Sequence, residues 1–369
     1  MKITDVELRR IRLPLVSPFR TSFGTQTWRE VLLVKVTTPD AEGWGECVAL
    51  REPVYSPEFV DEAELTIKDH LLPRLLAVAD LNAYRVAPAL AAVKGHRMAK
   101  AAVEMAVLDA ELRGRNEAFR DFIGSVVDQV PSGVSVGIMD SIPQLLDAVG
   151  AYLDAGYVRI KLKIEPGWDI EPVAAVRERF GDGHLLQVDA NTAYTLADVR
   201  HLARLDPFEL LLIEQPLPED DVAGHAELAK AIRTPVCLDE SIESAKDAAD
   251  AIRMGACAVV NVKPGRVGGY IEARRVHDVC AANNVPVWCG GMLETGIGRA
   301  ANVAIAALPN FTLPGDVSAS DRFYRQDVTP PFVLDHGSLR VPTGPGWGVG
   351  VLADVLDEVT TSVEHVPHA

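Results

Sequence analysis

The sequence lacks the cysteine clusters that mark disulfide frameworks and zinc sites. It contains five cysteines, no two of them in a C-x-x-C pair, and the odd number leaves one over. We therefore interpret them as reduced, mostly buried residues of a cytoplasmic protein.

Basic charge and long apolar runs are also scarce. The net charge of −16 argues against a nucleic-acid surface, which needs clustered lysine and arginine. No segment approaches the roughly 18 apolar residues of a membrane span. The N-terminus, Met1–Asp5, carries charges where a signal peptide needs an apolar run. We expect neither a nucleic-acid nor a membrane partner, and a cytoplasmic location.

Low-complexity sequence is absent, and the 369 residues, 48% of them hydrophobic, can bury two domains. Residues 1 to 50 read as strands around a polar loop, Pro14 to Thr27, and residues 58 to 120 read as helices. We predict an N-terminal α+β domain over 1–125, a second domain over 126–320, and a C-terminal segment, 321–369, that packs back on the first domain.

From about residue 130, short apolar runs alternate with helical stretches. Alternation of this kind predicts a parallel sheet, and eight such units predict a closed (β/α) barrel. The runs are Gly133–Ile138, Val158–Lys163, Leu185–Asp189, Leu210–Glu214, Val236–Asp239, Ala258–Lys263, Val285–Cys289 and Phe311–Pro314.

Five charged residues end successive runs, at spacings of 26, 25, 25 and 24 residues. Each spacing is about the length of one βα unit, so the charges lie at the same position, or phase, in each unit. That phase is the C-terminal mouth, where barrel enzymes place their active sites. The residues are Lys163, Asp189, Glu214, Asp239 and Lys263.

The three acids, Asp189, Glu214 and Asp239, predict a metal site. Carboxylates that converge on one ring need a cation, and oxygen ligands select Mg²⁺ first and Mn²⁺ second. No histidine or cysteine shares their phase, which argues against zinc. Open coordination positions would suit a substrate carboxylate, beside which the ion stabilises developing charge.

Lys163 and Lys263 are predicted to be the acid and base. They lie four strands apart in an eight-stranded ring and therefore face each other. Lysine is a weak base at neutral pH unless like charges lower its pKa. Lys161, on the same strand face as Lys163, supplies one such charge and can hold the substrate carboxylate. Arg266 would act in the same way on Lys263, unless it is a surface charge at a helix start.

Two neighbouring residues have alternative interpretations, and a third feature is a possible contact with a ligand. Asn191 either orients a metal ligand or reaches substrate, or it only serves the turn after Asp189. Glu240 either supports the metal site or begins a helix. Gly291 and Met292 lie in a glycine-rich turn that a ligand could approach closely.

The motifs around these residues resemble those of the enolase superfamily, muconate-lactonizing subgroup, whose sites use a lysine or histidine base with Mg²⁺. The matching elements are K-x-K at 161–163, D-x-N at 189–191, E-Q-P at 214–216, D-E-S at 239–241 and K-P-G at 263–265.

Further segments resemble the N-succinylamino acid racemase / o-succinylbenzoate synthase family. They are residues 95–106, 133–138, 288–299 and 316–323. The resemblance implies that the first domain caps the barrel and that loops at Phe19–Phe23 and Leu50–Tyr55 close over substrate. Met292 and Phe323 would add to an apolar acyl pocket, and Ser135 would line it.

The resemblance implies a homo-oligomeric enzyme that takes a proton from the carbon next to a carboxylate. It would racemise N-acylamino acids, N-succinylated ones in particular, and/or dehydrate a cyclohexadiene carboxylate to o-succinylbenzoate in menaquinone synthesis. In the dehydration Lys163 would be the base and Lys263 would hold the enolate. The alternatives are a muconate cycloisomerase, a dipeptide epimerase, which needs a D-x-D pair, and a non-catalytic carboxylate-binding protein.

Overall fold

The structure, a computed structural model, describes residues 1–366. Its N-terminal part is an antiparallel sheet packed on helices, and the longest helix, α4, lies across β3. Gly43 and Gly45 permit this packing, because a Cβ at either position would collide with the α4 backbone. The elements are β1 (Asp5–Thr21), β2 (Gly24–Thr37), β3 (Glu42–Cys47), α1 (Val60–Thr66), a π-helical turn (Ile67–Leu71), α2 (Leu72–Leu76), α3 (Ala83–Leu90), α4 (Arg97–Gly114) and α5 (Phe119–Ile123).

The predicted loop from Pro14 to Thr27 is instead the far end of a long hairpin. β1 and β2 pair again beyond Pro14, with Phe19 opposite Gln26 and Thr21 opposite Gly24. The ladder shifts register between Pro14 and Phe19. An irregularity of this kind accommodates the prolines that made the segment read as a loop.

The second part is a parallel sheet curled into a barrel, with its strands in chain order from β5 to β11. A short strand outside this sheet, β4 (Gln129–Pro131), precedes it. The strands of the sheet are β5 (Gly133–Val136), β6 (Arg159–Lys163), β7 (Leu185–Asp189), β8 (Ile213–Glu214), β9 (Val236–Leu238), β10 (Val259–Val262) and β11 (Val287–Cys289). The helices are α6 (Ile142–Asp154), α7 (Ile170–Phe180), α8 (Val199–Leu202), α9 (Val222–Ala231), α10 (Ala245–Met254), α11 (Pro264–Val267), α12 (Tyr270–Ala282) and α13 (Gly296–Ile305).

The predicted eighth strand does not form as a regular strand within the described residues. The segment around it makes isolated parallel bridges, from Phe311 to Val287 and from Gly315 to Ser132. These bridges connect both edges of the seven-stranded sheet. Pro314 has no N–H to donate, which limits regular pairing at this position.

The C-terminal segment contains β12 (Ser338–Arg340), α14 (Ala353–Val359) and β13 (Thr360–Val366). β13 pairs with β1 at the edge of the N-terminal sheet, and β12 pairs with β4. Across residues 1–366, no helix combines the length and apolar composition needed to cross a membrane.

Buried carboxylates of the N-terminal part accept hydrogen bonds at the starts of two barrel helices. Glu104 on α4 accepts from the Ile271 N–H at 3.1 Å, in the first turn of α12. Glu46 on β3 accepts from the N–H groups of Thr295 and Gly298, both at 2.9 Å, at the start of α13. These contacts satisfy helix-end donors that would otherwise be unpaired.

Candidate active site

The five predicted charged residues meet at the mouth of the barrel. Lys163 is paired in register with Asp189, and Asp189 with Glu214, at the ends of β6, β7 and β8. Asp239 and Lys263 follow directly after β9 and β10. All five are buried, so the recurring spacing in the sequence corresponds to one level of the barrel.

Lysine ammonium groups lie between the acids. The Nζ of Lys163 donates to Asp189 Oδ2 at 2.6 Å, and the Nζ of Lys263 donates to Asp239 Oδ2 at 2.7 Å. Lys161 Nζ lies 3.0 Å from Glu214 Oε2 and 3.1 Å from Asp189 Oδ2. The ring is therefore a continuous network of buried, paired charges.

The three lysines differ in pKa. Burial lowers the pKa of Lys163, and the charge of Lys161 lowers it further against the opposing pull of Asp189. Burial acts in the same direction on Lys161, but the carboxylates of Asp316, Glu214 and Asp189 outweigh it and raise the Lys161 pKa. Burial also acts to lower the pKa of Lys263. Tyr55 and the nearby carboxylates outweigh it, Tyr55 most strongly, so the pKa of Lys263 is raised.

The three acids suit a hard divalent cation by their chemistry, since each presents carboxylate oxygens at the same end of neighbouring strands. Their oxygens are not drawn into one cluster here, because the lysines lie between them. The described residues do contain one compact group of metal-ligand type, formed by Glu58, Glu62 and His96 in the N-terminal part. Sequence analysis did not single out that group.

Asn191 connects two parts of the site. Its Oδ1 accepts from Lys163 Nζ at 2.6 Å, and its Nδ2 donates to Glu240 Oε1 at 2.9 Å. Its φ of 41° also places it in a tight turn. Asn191 therefore lies in a turn while its side chain joins Lys163 to Glu240, which places Glu240 in the buried network. Burial raises the pKa of Glu240 to about 7.

Arg266 is only 4% exposed, which excludes a surface charge. Its Nη1 contacts the Oδ1 of Asp239, its Nε donates to the carbonyl of Ile242 at 2.8 Å, and its Nη2 donates to the carbonyl of Asn261 at 2.7 Å. Arg266 and Lys263 therefore share the carboxylate of Asp239, on different oxygens.

A cavity opens beside the lysines, and part of the predicted pocket lines it. Phe19 and Phe323 meet edge to face with ring centroids 6.1 Å apart. The lining includes Phe19, Ser135, Lys161, Lys163, Lys263, Gly291, Leu293, Glu294, Arg299, Asp316, Ser318 and Phe323.

The rest of the predicted pocket lies elsewhere. Phe23 and Leu50 line a neighbouring cleft with Trp28, and Met292 is packed in the core of the N-terminal part. Tyr55, from the second of the loops predicted to close over substrate, reaches the ring. Its hydroxyl accepts from Lys263 Nζ at 3.1 Å and donates to Asp239 Oδ1 at 3.3 Å. An aromatic side chain of the first part therefore contacts the acid–base ring directly.

Sequence analysis missed Asp316 and Arg159. Asp316 Oδ1 pairs with Arg159 at 2.8 Å, and its Oδ2 lies 2.5 Å from Lys161 Nζ. The ammonium of Lys161 also lies 4.8 Å from the ring centroid of Trp288. Two signals were present: Arg159 shares a strand face with Lys161, and Asp316 follows the eighth apolar run.

Comparisons with known proteins agree with this geometry. The family model for the enolase C-terminal domain-like fold matches residues 144–355. The model for the mandelate racemase / muconate lactonizing enzyme N-terminal domain matches residues 3–124.

Two relatives match nearly the whole chain. An N-succinylamino acid racemase of Amycolatopsis sp is 69% identical and covers 98% of each chain. An o-succinylbenzoate synthase of Geobacillus kaustophilus is 44% identical and covers 95% of this chain and 94% of its own. A solved enolase-superfamily structure from Listeria innocua superposes with a TM-score of 0.95 at 40% identity, covering 100% of this chain and 99% of that one.

Proposed function

We propose that this chain, which belongs to the enolase superfamily, removes the proton next to a substrate carboxylate and either delivers a proton to the opposite face or expels water. The substrates we propose are N-succinylamino acids for racemisation and a cyclohexadiene carboxylate for dehydration to o-succinylbenzoate. The names of the similar proteins from Amycolatopsis and Geobacillus support both reactions.

The observation that carries this proposal is the presence of Lys163 and Lys263 in one cavity, on strands β6 and the end of β10. Four strand positions separate them around the barrel, so they approach a carbon between them from different sides. One lysine can take the proton from one face while the other, protonated, gives a proton to the opposite face. Dehydration needs only one base, and the second lysine then stabilises negative charge as a cation.

The lowered pKa of Lys163 suits it to the role of base at neutral pH. The raised pKa of Lys263 keeps that side chain protonated in the resting protein. We therefore assign Lys163 the first proton abstraction in the dehydration and Lys263 the cationic role. Asn191, which contacts Lys163 Nζ, holds the ammonium in position.

Asp189, Glu214 and Asp239 are the residues that would hold a divalent ion, which we propose to be Mg²⁺, with Mn²⁺ as a substitute. When bound, such an ion polarises a carboxylate and stabilises the charge that appears on proton loss. Lys161 lies between two of these acids and can contact the same substrate carboxylate.

A dipeptide epimerase is the nearest rival. It would need two free carboxylates to receive the amino group of a dipeptide. The loop after the last strand segment offers Asp316-Val317-Ser318, and the one acid in it is occupied by Arg159 and Lys161. This pairing favours an acylated, uncharged nitrogen over a free amine.

The test follows both reactions in one preparation. Single enantiomers of N-succinylphenylalanine or N-succinylmethionine should lose optical rotation, and the cyclohexadiene substrate should yield o-succinylbenzoate. Chelation should abolish both reactions, and Mg²⁺ or Mn²⁺ should restore them. Activity on dipeptides with neither of the other reactions would support the epimerase alternative, and full activity after exhaustive chelation would exclude the metal.

Three associated predictions extend the proposal. The supply of o-succinylbenzoate to menaquinone synthesis, a cytoplasmic location and a homo-oligomeric state are expected for such an enzyme. Gel filtration and comparison of menaquinone in cells with and without the gene test the first and last of these.

A further inference from the structure

Arg299, in the first turn of α13, is a buried cation beside the acid–base ring. It is 3% exposed and lines the cavity that also contains the three lysines. Its Nη1 donates to the carbonyl of Ser318, and its Nη2 donates to the carbonyl of Glu294 at 2.9 Å. Its Nε has no acceptor in residues 1–366, and no carboxylate there lies within 4.0 Å of its guanidinium.

A buried charge is costly unless an opposite charge or a full set of hydrogen bonds compensates it. Arg159 shows the compensated arrangement in the same barrel, because it is equally buried and paired with Asp316. Arg299 donates to neutral carbonyl oxygens and to the hydroxyl of Ser318, so within residues 1–366 no carboxylate side chain is paired with its charge. Its guanidinium can therefore receive an anionic group that enters the cavity.

The cavity contains two carboxylates besides the ring acids, and both are engaged. Asp316 is held by Arg159 and Lys161. Glu294 accepts from the Met292 N–H at 2.9 Å and from Asn302 Nδ2 at 3.0 Å. Neither accepts a hydrogen bond from Arg299 through its side chain.

Another buried arginine near the cavity is less suited to this role. Arg322 donates to the carbonyl of Ser135, and its guanidinium lies 5.6 Å from the ring centroid of Phe19 and 4.7 Å from that of Phe323. Aromatic rings thus cover Arg322, whereas Arg299 contributes directly to the cavity lining.

We propose that Arg299 binds the distal carboxylate of the acyl group, so that the site prefers N-acyl chains that end in an anion. This inference rests on the proposed function, in which the substrate's other carboxylate lies near the lysines. A substrate with two carboxylates then spans the cavity from the ring to α13. The chemical class is an N-dicarboxylyl amino acid, of which N-succinyl is one member.

The experiment compares N-succinylphenylalanine with its terminal amide, N-succinamoylphenylalanine, which has nearly the same shape and no distal charge. The parental enzyme should favour the succinyl compound in kcat/KM. Arg299→Gln should reduce kcat/KM for the succinyl compound by roughly 10- to 100-fold, since hydrogen bonds to charged groups have about this effect. It should change the value for the amide by less than about 3-fold.

A second measurement does not depend on turnover. Calorimetry should show that N-succinylglycine loses affinity in Arg299→Gln while N-succinamoylglycine does not. Arg29→Gln is the matched control, because Arg29 is also buried, donates to the carbonyls of Val48 and Ala49, and has an unused Nε. That variant should lose stability without changing the preference between the two ligands, and Arg299→Lys should retain part of it.

The possible outcomes distinguish a failure of this inference from a failure of the proposed function. Equal losses on both substrates in Arg299→Gln, or a parental enzyme that does not distinguish them, would show that Arg299 only supports the fold. Failure of the parental enzyme to exchange the α-proton of any N-acylamino acid would instead contradict the proposed function, and the binding measurement would still test Arg299.

Discussion

The charged ring at the barrel mouth and the acyl side of the cavity are held by different kinds of contact. In the ring, Lys163, Asp189 and Glu214 are fixed by the register of adjacent parallel strands. On the acyl side, Phe19 comes from the end of the β1–β2 hairpin, and Phe323 directly follows a 3₁₀ turn at Ser320–Arg322. Strand pairing does not fix their separation, which depends on how distant segments pack.

This difference separates chemistry from selectivity. A change of one register position in the ring would turn a lysine or an acid away from the site, so the ring defines a single reaction type. The acyl side can change in shape without moving the ring. One barrel can therefore process several substrates through the same proton abstraction.

The largest expected effect lies in the ring. Lys163→Ala and Lys263→Ala should each abolish racemisation, because a positioned acid or base contributes roughly 10²–10⁴-fold and inversion needs both. Either variant should still be able to exchange the α-proton of one enantiomer without inverting it, which proton NMR in D₂O detects.

Lys246→Ala serves as the control for that pair, because Lys246 is exposed and bonds only to Asp250 on α10. It should racemise at the parental rate. If Lys163→Ala or Lys263→Ala also racemised at the parental rate, the two-base mechanism would be wrong. The ring would then not differ from the acyl side in its contribution to the chemistry.

A smaller effect is expected from Arg266, which contacts the carboxylate of Asp239 on the oxygen opposite to the one that Lys263 uses. Arg266→Gln should weaken proton exchange through Lys263 more than through Lys163, because Lys263 then faces Asp239 without a competing cation. Separate exchange rates for the two enantiomers measure this. Equal losses would indicate that Arg266 supports the loop through Ile242 and Asn261 instead.

On the acyl side, Phe323→Ala should alter selectivity and leave the chemistry intact. Removing one ring from the Phe19–Phe323 pair enlarges the cavity. We expect kcat/KM to change by roughly 10-fold between small and large N-acylamino acids, in keeping with about 1–3 kcal/mol per changed group. A uniform loss on all substrates would show that Phe323 acts on the ring.

The ring was predictable from the sequence because a βα unit has a nearly constant length and strand ends recur with it. Asp316 fell outside the prediction although it follows the eighth apolar run, because its partner Arg159 becomes visible only when the barrel closes. The segment near Pro314 also forms bridges instead of a regular strand, so its phase was harder to infer.

The acyl side was predictable only through resemblance. No periodicity places Tyr55 on Lys263, because that contact depends on how the first part of the chain docks on the barrel. The same docking places Phe23 and Leu50 in a separate cleft. Arg299 lies within a helix whose pattern carries no sign of the cavity, and its role depends on packing against Ser318.

The smallest effect on activity is expected from the docking itself, where the prediction is a pH dependence of stability. Glu104 joins α4 to the start of α12, and burial raises its pKa from 4.5 to about 8. The folded protein therefore binds this proton more tightly than the unfolded chain. The resulting stabilisation is complete below about pH 4.5 and is lost as the pH rises through about 8.

Glu104→Gln should remove this dependence, because glutamine can accept the Ile271 hydrogen bond and does not ionise. Denaturant unfolding at pH 5 and pH 9 measures it: relative to the parental protein, the variant should be more stable at pH 9 than at pH 5. Asp198→Asn is a control at a partly exposed acid, whose pKa is lowered by hydrogen bonds from Thr195 and which therefore gives the opposite trend. If Glu104→Gln instead became relatively less stable as the pH rose, the charged carboxylate would be favoured at the helix start. The docking of the two parts would then depend on the same kind of charge pairing as the ring.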